Sequence, residues 1–323
     1  MARDTKAADG RKAGTLTANP KIIDGLITRA WREVYEGNAD EPDALIAAFV
    51  KKYKKTLLKR KEYVLQELTT QEVYDGLTSG GKTAGGMDGW EPAELALVSW
   101  NTCIWIRELF KMIEAGIPWP KSCLHAMVRY LEKDGSKMGE AMSFRPLTIT
   151  VPIYRRWAAI RLRSMQGWIE GWALEEMFAG VPGQGAVDAW YQALMDVEQM
   201  LLGGTPFCGG AADIHKFFDQ IQRKLVYEIA EMAGMPKGVL LAYRNFLENL
   251  NTYNGIGDHV GYKYSKKCGI LQGCPLSMTY VVLILRPWLV QMKDMKVDAK
   301  VLADDVMIIA KGRRMLRQYT KAL

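Results

Sequence analysis

Apolar residues recur at helical or strand spacing along most of the chain and divide it into elements. Helical spacing predicts helices over residues 21–36, 42–68, 92–115, 152–178, 185–202, 223–234, 237–251 and 275–293. Shorter apolar or alternating runs predict strands at 123–133 and 207–214 and hairpins at 254–270 and 299–310. The Gly-rich stretch 73–90 is predicted to be a loop, in which Asp88-Gly89 forms a turn.

Composition narrows the class of protein. Of the 323 residues, 49% are hydrophobic and 24% are charged, which is typical of a globular protein. The five cysteines include no Cys-x-x-Cys pair, so we expect free thiols in a reducing compartment and no zinc knuckle. Every apolar run is shorter than the roughly 20 residues of a membrane span, and the N-terminus is polar rather than a secretory signal. We therefore expect an intracellular protein, nuclear or cytoplasmic, without a membrane partner.

The net charge of +7 favours a polyanionic partner. Basic residues concentrate in two clusters that we interpret as candidate nucleic-acid contacts: Lys51, Lys52, Lys54 and Lys55 in one, and Arg155 and Arg156 in the other. Such side chains can contact the phosphates of a nucleic acid. For the lysine cluster, a solvated helix face is an equally good interpretation.

Two adjacent carboxylates interrupt the apolar hairpin predicted at 299–310. Asp304 and Asp305 lie at its tip, and no Lys or Arg lies between Lys300 and Lys311. Burying unpaired like charges would cost several kcal/mol, so a divalent cation is the expected partner. Mg²⁺ suits this role because it takes a few carboxylate oxygens and leaves positions for phosphate. The alternative is a plain Asp-Asp turn.

A second acidic motif ends the predicted strand at 207–214. Small and apolar residues lead into Asp213, and a helix-like stretch follows from about Gln222. Asp213 is distant from Asp304 in the sequence, so the two can form one metal site only if the fold pairs their strands. Two metal ions roughly 4 Å apart can activate an attacking 3′-hydroxyl and stabilise a leaving pyrophosphate.

Five sequence blocks follow one another between about residues 80 and 310. They are Lys82-Thr83-Ala84-Gly85-Gly86-Met87-Asp88-Gly89, Ser143-Phe144-Arg145-Pro146-Leu147-Thr148-Ile149, Asp213-Ile214-His215-Lys216-Phe217-Phe218-Asp219, Gly269-Ile270-Leu271-Gln272-Gly273-Cys274-Pro275-Leu276-Ser277 and Leu302-Ala303-Asp304-Asp305. Each block alone is a weak signal, but the ordered set is specific. The chain resembles a reverse transcriptase of the non-LTR retrotransposon and group II intron lineage.

The resemblance implies an α+β fold of the right-hand polymerase type, in which helices back an antiparallel palm sheet. It divides the chain into a disordered tail (1–20), a helix-rich N-terminal extension (21–75), fingers and fingers–palm helices (76–205) and a palm (206–323). Only a short segment follows Asp305, so the resemblance also implies that the palm is incomplete and the thumb is missing.

The resemblance assigns metal binding and catalysis to the acidic motifs. Asp213 and Asp304 would ligate two Mg²⁺ ions, with Mn²⁺ as a substitute, and the Ile214 carbonyl would complete one site. Asp305 would contribute to catalysis less directly. The implied partners are an RNA template, a DNA primer and deoxynucleoside triphosphates (dNTPs).

Other residues of these blocks are implied to bind the nucleotide. Lys133 and Arg145 would grip the triphosphate, because Arg suits bidentate phosphate contact. Phe218 would lie under the sugar and exclude a 2′-hydroxyl, although simple core packing is an equal alternative. Gln272 would reach the sugar or the template base, and Gly273 would allow close approach because it lacks a Cβ atom.

The chain departs from the family pattern at a few positions. Leu302 replaces an aromatic residue, Met278 and Met87 replace prolines, and Phe217 replaces a small residue. All the expected metal ligands are present, so the sequence favours an RNA-directed DNA polymerase. The alternatives are an RNA-dependent RNA polymerase, and a truncated remnant that binds nucleic acid with weak or no turnover.

Overall fold

The computed structural model describes residues 2–3, 14, 16–37, 41–79, 81, 83–133 and 139–322. The helices are α1 (Pro20–Glu36), α2 (Pro42–Tyr53), α3 (Thr70–Thr78), α4 (Pro92–Leu95), α5 (Trp100–Glu114), α6 (Pro152–Ser164), α7 (Gln166–Glu170), α8 (Ala186–Leu202), α9 (Phe217–Gln220), α10 (Arg223–Met232), α11 (Lys237–Asn249), α12 (Ser277–Asp294) and α13 (Met315–Ala322). The strands are β1 (Ala2–Arg3), β2 (Leu16–Thr17), β3 (His125–Glu132), β4 (Phe144–Thr150), β5 (Phe207–Asp213), β6 (Asn251–Ile256), β7 (His259–Val260), β8 (Asp298–Leu302) and β9 (Asp305–Lys311). The fold is therefore mixed α and β, and most of its strand pairs are antiparallel.

The chain forms two compact units, each assembled from separate stretches of sequence. The first comprises Met1–Asp40, Gln66–Arg161 and Gly238–Pro275, and the second comprises Glu41–Leu65, Leu162–Lys237 and Leu276–Leu323. Within the predicted disordered tail, β1 and β2 pair antiparallel, while positions 1, 4–13 and 15 lie outside the described residues.

The first unit is organised around a sheet with strand order β4-β3-β6-β7. β3 pairs antiparallel with β4 and parallel with β6, and β6 turns back antiparallel into β7. An aromatic cluster fills the core of this unit: the Trp119 ring lies 5.4 Å from Trp157 and 5.5 Å from Phe246, and Tyr154 stacks on Phe246. Such edge-to-face and stacked pairs stabilise a core beyond the area they bury.

Helix α1 belongs to the first unit because it buries a stripe of apolar residues. Ile23, Ile27, Trp31 and Tyr35 recur at every fourth position and are buried. Asp24, also buried, accepts hydrogen bonds from the side-chain amide of Asn254 on β6 at 2.7 Å and from a backbone N–H at 3.0 Å. These bonds satisfy a buried carboxylate that would otherwise destabilise the fold.

The second unit contains a three-stranded antiparallel sheet of order β5-β9-β8. Side chains alternate between its two faces. Gly210 lies against Tyr319 of α13, and a cavity on the same face is lined by α12 and α13. Lys300 points to the other face, where it pairs with Asp196 of α8. The sheet is therefore backed by α12 and α13 on one face and partly covered by α8 on the other.

Most predicted elements are confirmed, but the helix predicted at 42–68 ends at Tyr53. Beyond that point the backbone bonds to α10 and the turn after it: Arg60 donates to the Met232 carbonyl at 2.9 Å and Tyr63 donates to Gly234 at 2.8 Å. These tertiary bonds replace the helical ones. The helix predicted at 152–178 likewise stops at Ser164, and only the short α7 follows.

The predicted loop at 73–90 begins with a helix, α3. A capping box was the overlooked signal, because Thr69 accepts from the Glu72 backbone while the Glu72 carboxylate accepts from Thr69. The helix predicted at 92–115 is split, since Ser99 caps a new helix start by accepting from Thr102. β4 was not predicted as a strand at all.

A buried ion pair joins two helices of the first unit. Both carboxylate oxygens of Glu114 on α5 accept from Arg161 on α6, at 2.6 and 2.5 Å, and one also accepts from the Trp157 indole at 2.8 Å. The Arg161 and Glu114 side chains are only 5% and 13% exposed. Removing one partner would leave a buried charge without compensation.

We expect Glu114→Ala to lower the free energy of unfolding by about 3–5 kcal/mol, the effect of breaking a buried ion pair. Urea denaturation followed by circular dichroism measures this change. Glu36→Ala is the matched control, because Glu36 pairs with Arg32 at the surface and should matter by less than about 1 kcal/mol. Equal losses in the two variants would contradict the prediction.

Candidate active site

The two acidic motifs are carried by neighbouring strands. β5 pairs antiparallel with β9 in a register that sets Asp213 opposite Asp305. On the next rung, the Ile214 N–H donates to the Asp304 carbonyl at 3.0 Å. The fold thus provides the strand pairing that a single acidic site requires.

Small residues on β5 permit this close pairing. A Cβ atom on Gly209 would lie 2.7 Å from the Ile308 carbonyl oxygen of β9, and one on Gly210 would lie 2.7 Å from the Tyr319 hydroxyl of α13. Both distances are too short for a real contact. The Gly209-Gly210 pair therefore determines how closely β9 and α13 approach β5.

The turn that presents Asp304 has an unusual backbone. β8 and β9 are joined through Ala303 and Asp304, with Leu302 opposite Asp305. Ala303 has a φ of 58°, in the left-handed region that costs an alanine about 1–2 kcal/mol. Strained backbone of this kind concentrates at functional sites, so the turn supports a role for the acidic motif.

The expectation that the carboxylates are buried is wrong. Asp213 and Asp305 are exposed and Asp304 is half-buried, because β5 is the edge strand and the β8–β9 turn lies at the sheet's end. Because these carboxylates remain in contact with solvent, the cost of burying their charge does not require a bound cation. The remaining electrostatic argument is that Asp213 and Asp305 face one another across the strands, and like charges directly opposite destabilise a sheet.

The acidic residues fit a magnesium site that substrate completes. Among the described residues, no group of three His, Cys, Asp or Glu side chains is arranged to hold a metal ion. Mg²⁺, however, is usually bound through one or two carboxylates together with substrate phosphates rather than by an all-protein cage. The hard oxygen donors on these two strands match that mode of binding.

The segment after Asp213 turns sharply into the short helix α9. Lys216 has a left-handed φ of 50°, and its carbonyl accepts from the N–H groups of Asp219 and Gln220. Phe217 lines an apolar cavity of about 570 Å³ together with α2 and α12. The neighbouring Phe218 is half-buried and is not part of that cavity lining.

The first unit holds the other predicted nucleotide-binding residues near β4. Arg145 is exposed on β4 opposite Leu131, and Lys133 is exposed just beyond the end of β3. The Gln272 carbonyl accepts from the Thr148 N–H of β4 at 3.2 Å. Gly273 follows with a φ of 108°, which a residue with a Cβ atom rarely adopts.

The predicted nucleic-acid contacts differ in their surroundings. Lys51, Lys52, Lys54 and Lys55 are all exposed at the end of α2 and just after it. Arg155 instead donates to the Thr83 hydroxyl at 3.3 Å and to the Ala84 carbonyl. Burial, reinforced by Arg156, lowers the pKa of Arg155, while Asp88 opposes that shift. Arg155 therefore braces the 83–90 loop. Lys82 of this loop lies outside the described residues.

A buried lysine within the β8–β9 hairpin was given no role from the sequence. Lys300 on β8 bonds to Asp298 at 2.9 Å and to Asp196 of α8. Burial acts to lower the pKa of Lys300, but these hydrogen bonds outweigh it and raise the pKa above its ordinary value. The alternation of Asp298 and Lys300 on one strand face was the available signal. This cluster fixes α8 against the sheet close to Leu302 and Asp305, which border a groove of about 350 Å³.

No protein-family model and no curated protein matches the chain. Within the described ranges, none of the helices combines the length and the apolar character needed to cross a membrane.

Asp88 provides a prediction about pH. Desolvation by burial raises its pKa above 3.8 in the folded chain, against hydrogen bonding from Trp90 and the charge of Arg155. A raised pKa means that the stabilising contribution is present below about 3.8 and is lost as pH rises through the folded pKa. Asp88→Asn keeps an oxygen that can accept from the Trp90 N–H.

We therefore expect the stability of Asp88→Asn, relative to the unmodified chain, to increase as pH rises from about 4 to about 7. Urea unfolding at a series of pH values measures the difference. If the stability difference between Asp88→Asn and the unmodified chain is the same at every pH in that range, it arises from turn geometry and not from titration of Asp88.

Proposed function

We propose that this chain is an RNA-directed DNA polymerase of the retroelement type. The observation that carries the proposal is the β5–β9 register, which places two remote acidic motifs on adjacent rungs of one sheet. A structural Asp-Asp turn would not need a third carboxylate opposite it, since this arrangement repels. A nucleotidyltransferase does need such a cluster of carboxylates.

In this proposal the second unit acts as the palm. Its antiparallel sheet has helices behind it, and its edge strand exposes Asp213. The first unit acts as fingers, with α1 packed on its sheet as an N-terminal extension. The ordered sequence blocks support this assignment.

Asp213, Asp304 and the Ile214 carbonyl would hold two Mg²⁺ ions, or Mn²⁺, with Asp305 beside them. The chemistry supplied by bound ions is activation of the primer 3′-hydroxyl for attack on the α-phosphate of a dNTP, and stabilisation of the leaving pyrophosphate. The strained Ala303 turn fixes the direction of Asp304 before substrate arrives. Such pre-organisation avoids an ordering step during catalysis.

The remaining site residues would orient the substrates. Arg145 and Lys133 bind the triphosphate, for which their exposure on the first unit is suitable. Gln272 and Gly273, held on β4, contact the sugar or the template base. Phe218 lies under the sugar and selects deoxynucleotides. The exposed lysines from Lys51 to Lys55 contact the template–primer phosphates.

Primer extension on an RNA template with Mg²⁺ and dNTPs tests the proposal. We expect Asp304→Ala and Asp213→Ala to reduce extension by about 10³-fold or more, because removing one member of a catalytic unit disables the whole unit. Asp294→Ala is the matched control, since Asp294 is exposed at the end of α12 and belongs to neither acidic motif. We expect full activity from this control.

Three other outcomes would reject or change the proposal. Extension with ribonucleotides in preference to dNTPs would assign the chain to RNA-dependent RNA polymerases. If the unmodified chain binds an RNA–DNA hybrid but does not extend the primer, its role is to bind nucleic acid without catalysis. Extension that survives both acidic substitutions would show that the acidic cluster is not the catalytic centre.

Phe218 gives a second prediction about activity. We expect Phe218→Ala to reduce discrimination against ribonucleotides by at least about tenfold, because a smaller side chain leaves room for a 2′-hydroxyl. The measurement compares kcat/KM for a dNTP and the matching ribonucleotide.

Phe217→Ala is the matched control for Phe218→Ala. It removes an adjacent ring of the same size that lines the apolar cavity. This control should lower stability and leave sugar discrimination unchanged. If Phe217→Ala alters sugar discrimination and Phe218→Ala does not, the ring that excludes the 2′-hydroxyl is Phe217 and the assignment to Phe218 is wrong.

A further inference from the structure

Helix α8 carries an exposed apolar stripe, and one of its members, Trp190, also borders the groove between α8 and the sheet. The members of the stripe are exposed by between 50% and 90%: Val187, Trp190, Tyr191, Leu194, Leu201 and Leu202. They recur at intervals of three, four and seven residues, so they form one continuous face of the helix. Large apolar side chains concentrated on one face in this way mark an interaction surface.

The opposite side of α8 is already committed to the second unit. Ala193 and Met200 are buried there, and Asp196 binds Lys300 of β8. The helix is therefore held in place by one face while the stripe remains on the surface.

The charges of α8 argue against nucleic acid as the occupant of the stripe. Residues 186–202 contain Asp188, Asp196 and Glu198 and no Lys or Arg. An acidic helix repels phosphates. Glu198 is the only charged residue within the stripe itself. A partner that covers the stripe must therefore place a hydrogen-bond donor, and no acidic residue, opposite Glu198.

A second copy of the same helix satisfies this restriction when it runs antiparallel. Val187, Leu194 and Leu201 are spaced by seven residues, the repeat along which paired helices keep one face in contact. A two-fold axis at Leu194 sets Val187 of one copy against Leu201 of the other. The same axis sets Trp190 opposite Glu198, so that the indole N–H can donate to the carboxylate.

The parallel arrangement is less favourable. It would set Glu198 against Glu198 of the second copy, and like charges in an apolar contact destabilise it. In the antiparallel register, Glu198 faces Trp190 instead, and Asp196 stays bonded to Lys300 on the other side of the helix. The surface is therefore complementary to itself in one orientation only, as a two-fold interface requires.

We infer that the α8 stripe is a homodimer interface in which two copies of the chain pack α8 antiparallel about Leu194. The contact from Val187 to Leu201 would extend over about 21 Å of helix. Trp190 and Leu194 lie near its centre, where the residues that contribute most to binding concentrate.

Sedimentation velocity of the full chain over a range of concentrations tests the inference. We expect a monomer–dimer equilibrium whose dissociation constant rises by roughly 100-fold in Leu194→Glu, since the axis then brings two carboxylates together. Leu97→Glu is the matched control, because Leu97 is 85% exposed elsewhere on the surface. It should leave the dissociation constant unchanged. Circular dichroism checks that both variants fold.

Cysteine cross-linking tests the register in a Cys208→Ser background, where the four remaining native thiols are buried. We expect Leu194→Cys to form a disulfide-linked dimer by itself. Val187→Cys and Leu201→Cys should cross-link when mixed, and neither should do so alone.

A chain that stays monomeric at all concentrations overturns the inference, and so does a dimer that Leu194→Glu leaves intact. Cross-linking of Val187→Cys with itself overturns the antiparallel register. These measurements do not depend on polymerase activity.

Discussion

The backbone ladder between β5 and β9 is the constraint on which the candidate site depends. It joins a strand from the middle of the chain to one near its end, and Asp213 reaches Asp305 through this pairing alone. The ladder in turn requires Gly209 and Gly210, because side chains at those positions would separate β5 from β9 or from α13. The juxtaposition of the carboxylates thus rests on two residues that have no side chain.

The same ladder explains why the acidic hairpin is both accessible and rigid. β5 is an edge strand, so its acidic end faces solvent. β9 is the central strand, with β8 hydrogen-bonded on its other side, and Lys300 on β8 is tied to α8. The stable centre of the sheet thus supports the strained turn at Ala303.

Much of this arrangement could be predicted from the sequence where a local pattern determined it. The hairpin around Asp304, the strand ending at Asp213 and most helices follow from apolar spacing and turn residues. Burial could not be predicted in the same way. An apolar run around Asp304 and Asp305 suggested buried charges, but exposure depends on which strand forms the edge of the sheet, and a single segment does not encode that.

Tertiary bonds account for the larger errors in the predicted elements, and they also limit where the fold can begin. Residues 54–68 have helical composition, yet their backbone bonds to the end of α10 and the turn after it. A comparable long-range bond joins Asp24 of α1 to Asn254 of β6. A fragment that started after residue 40 would lack α1, leaving the Asn254 amide without that acceptor and exposing the apolar residues that pack against α1. The N-terminal helix is therefore part of the packed interior of the first unit, and removing it would expose that interior to solvent.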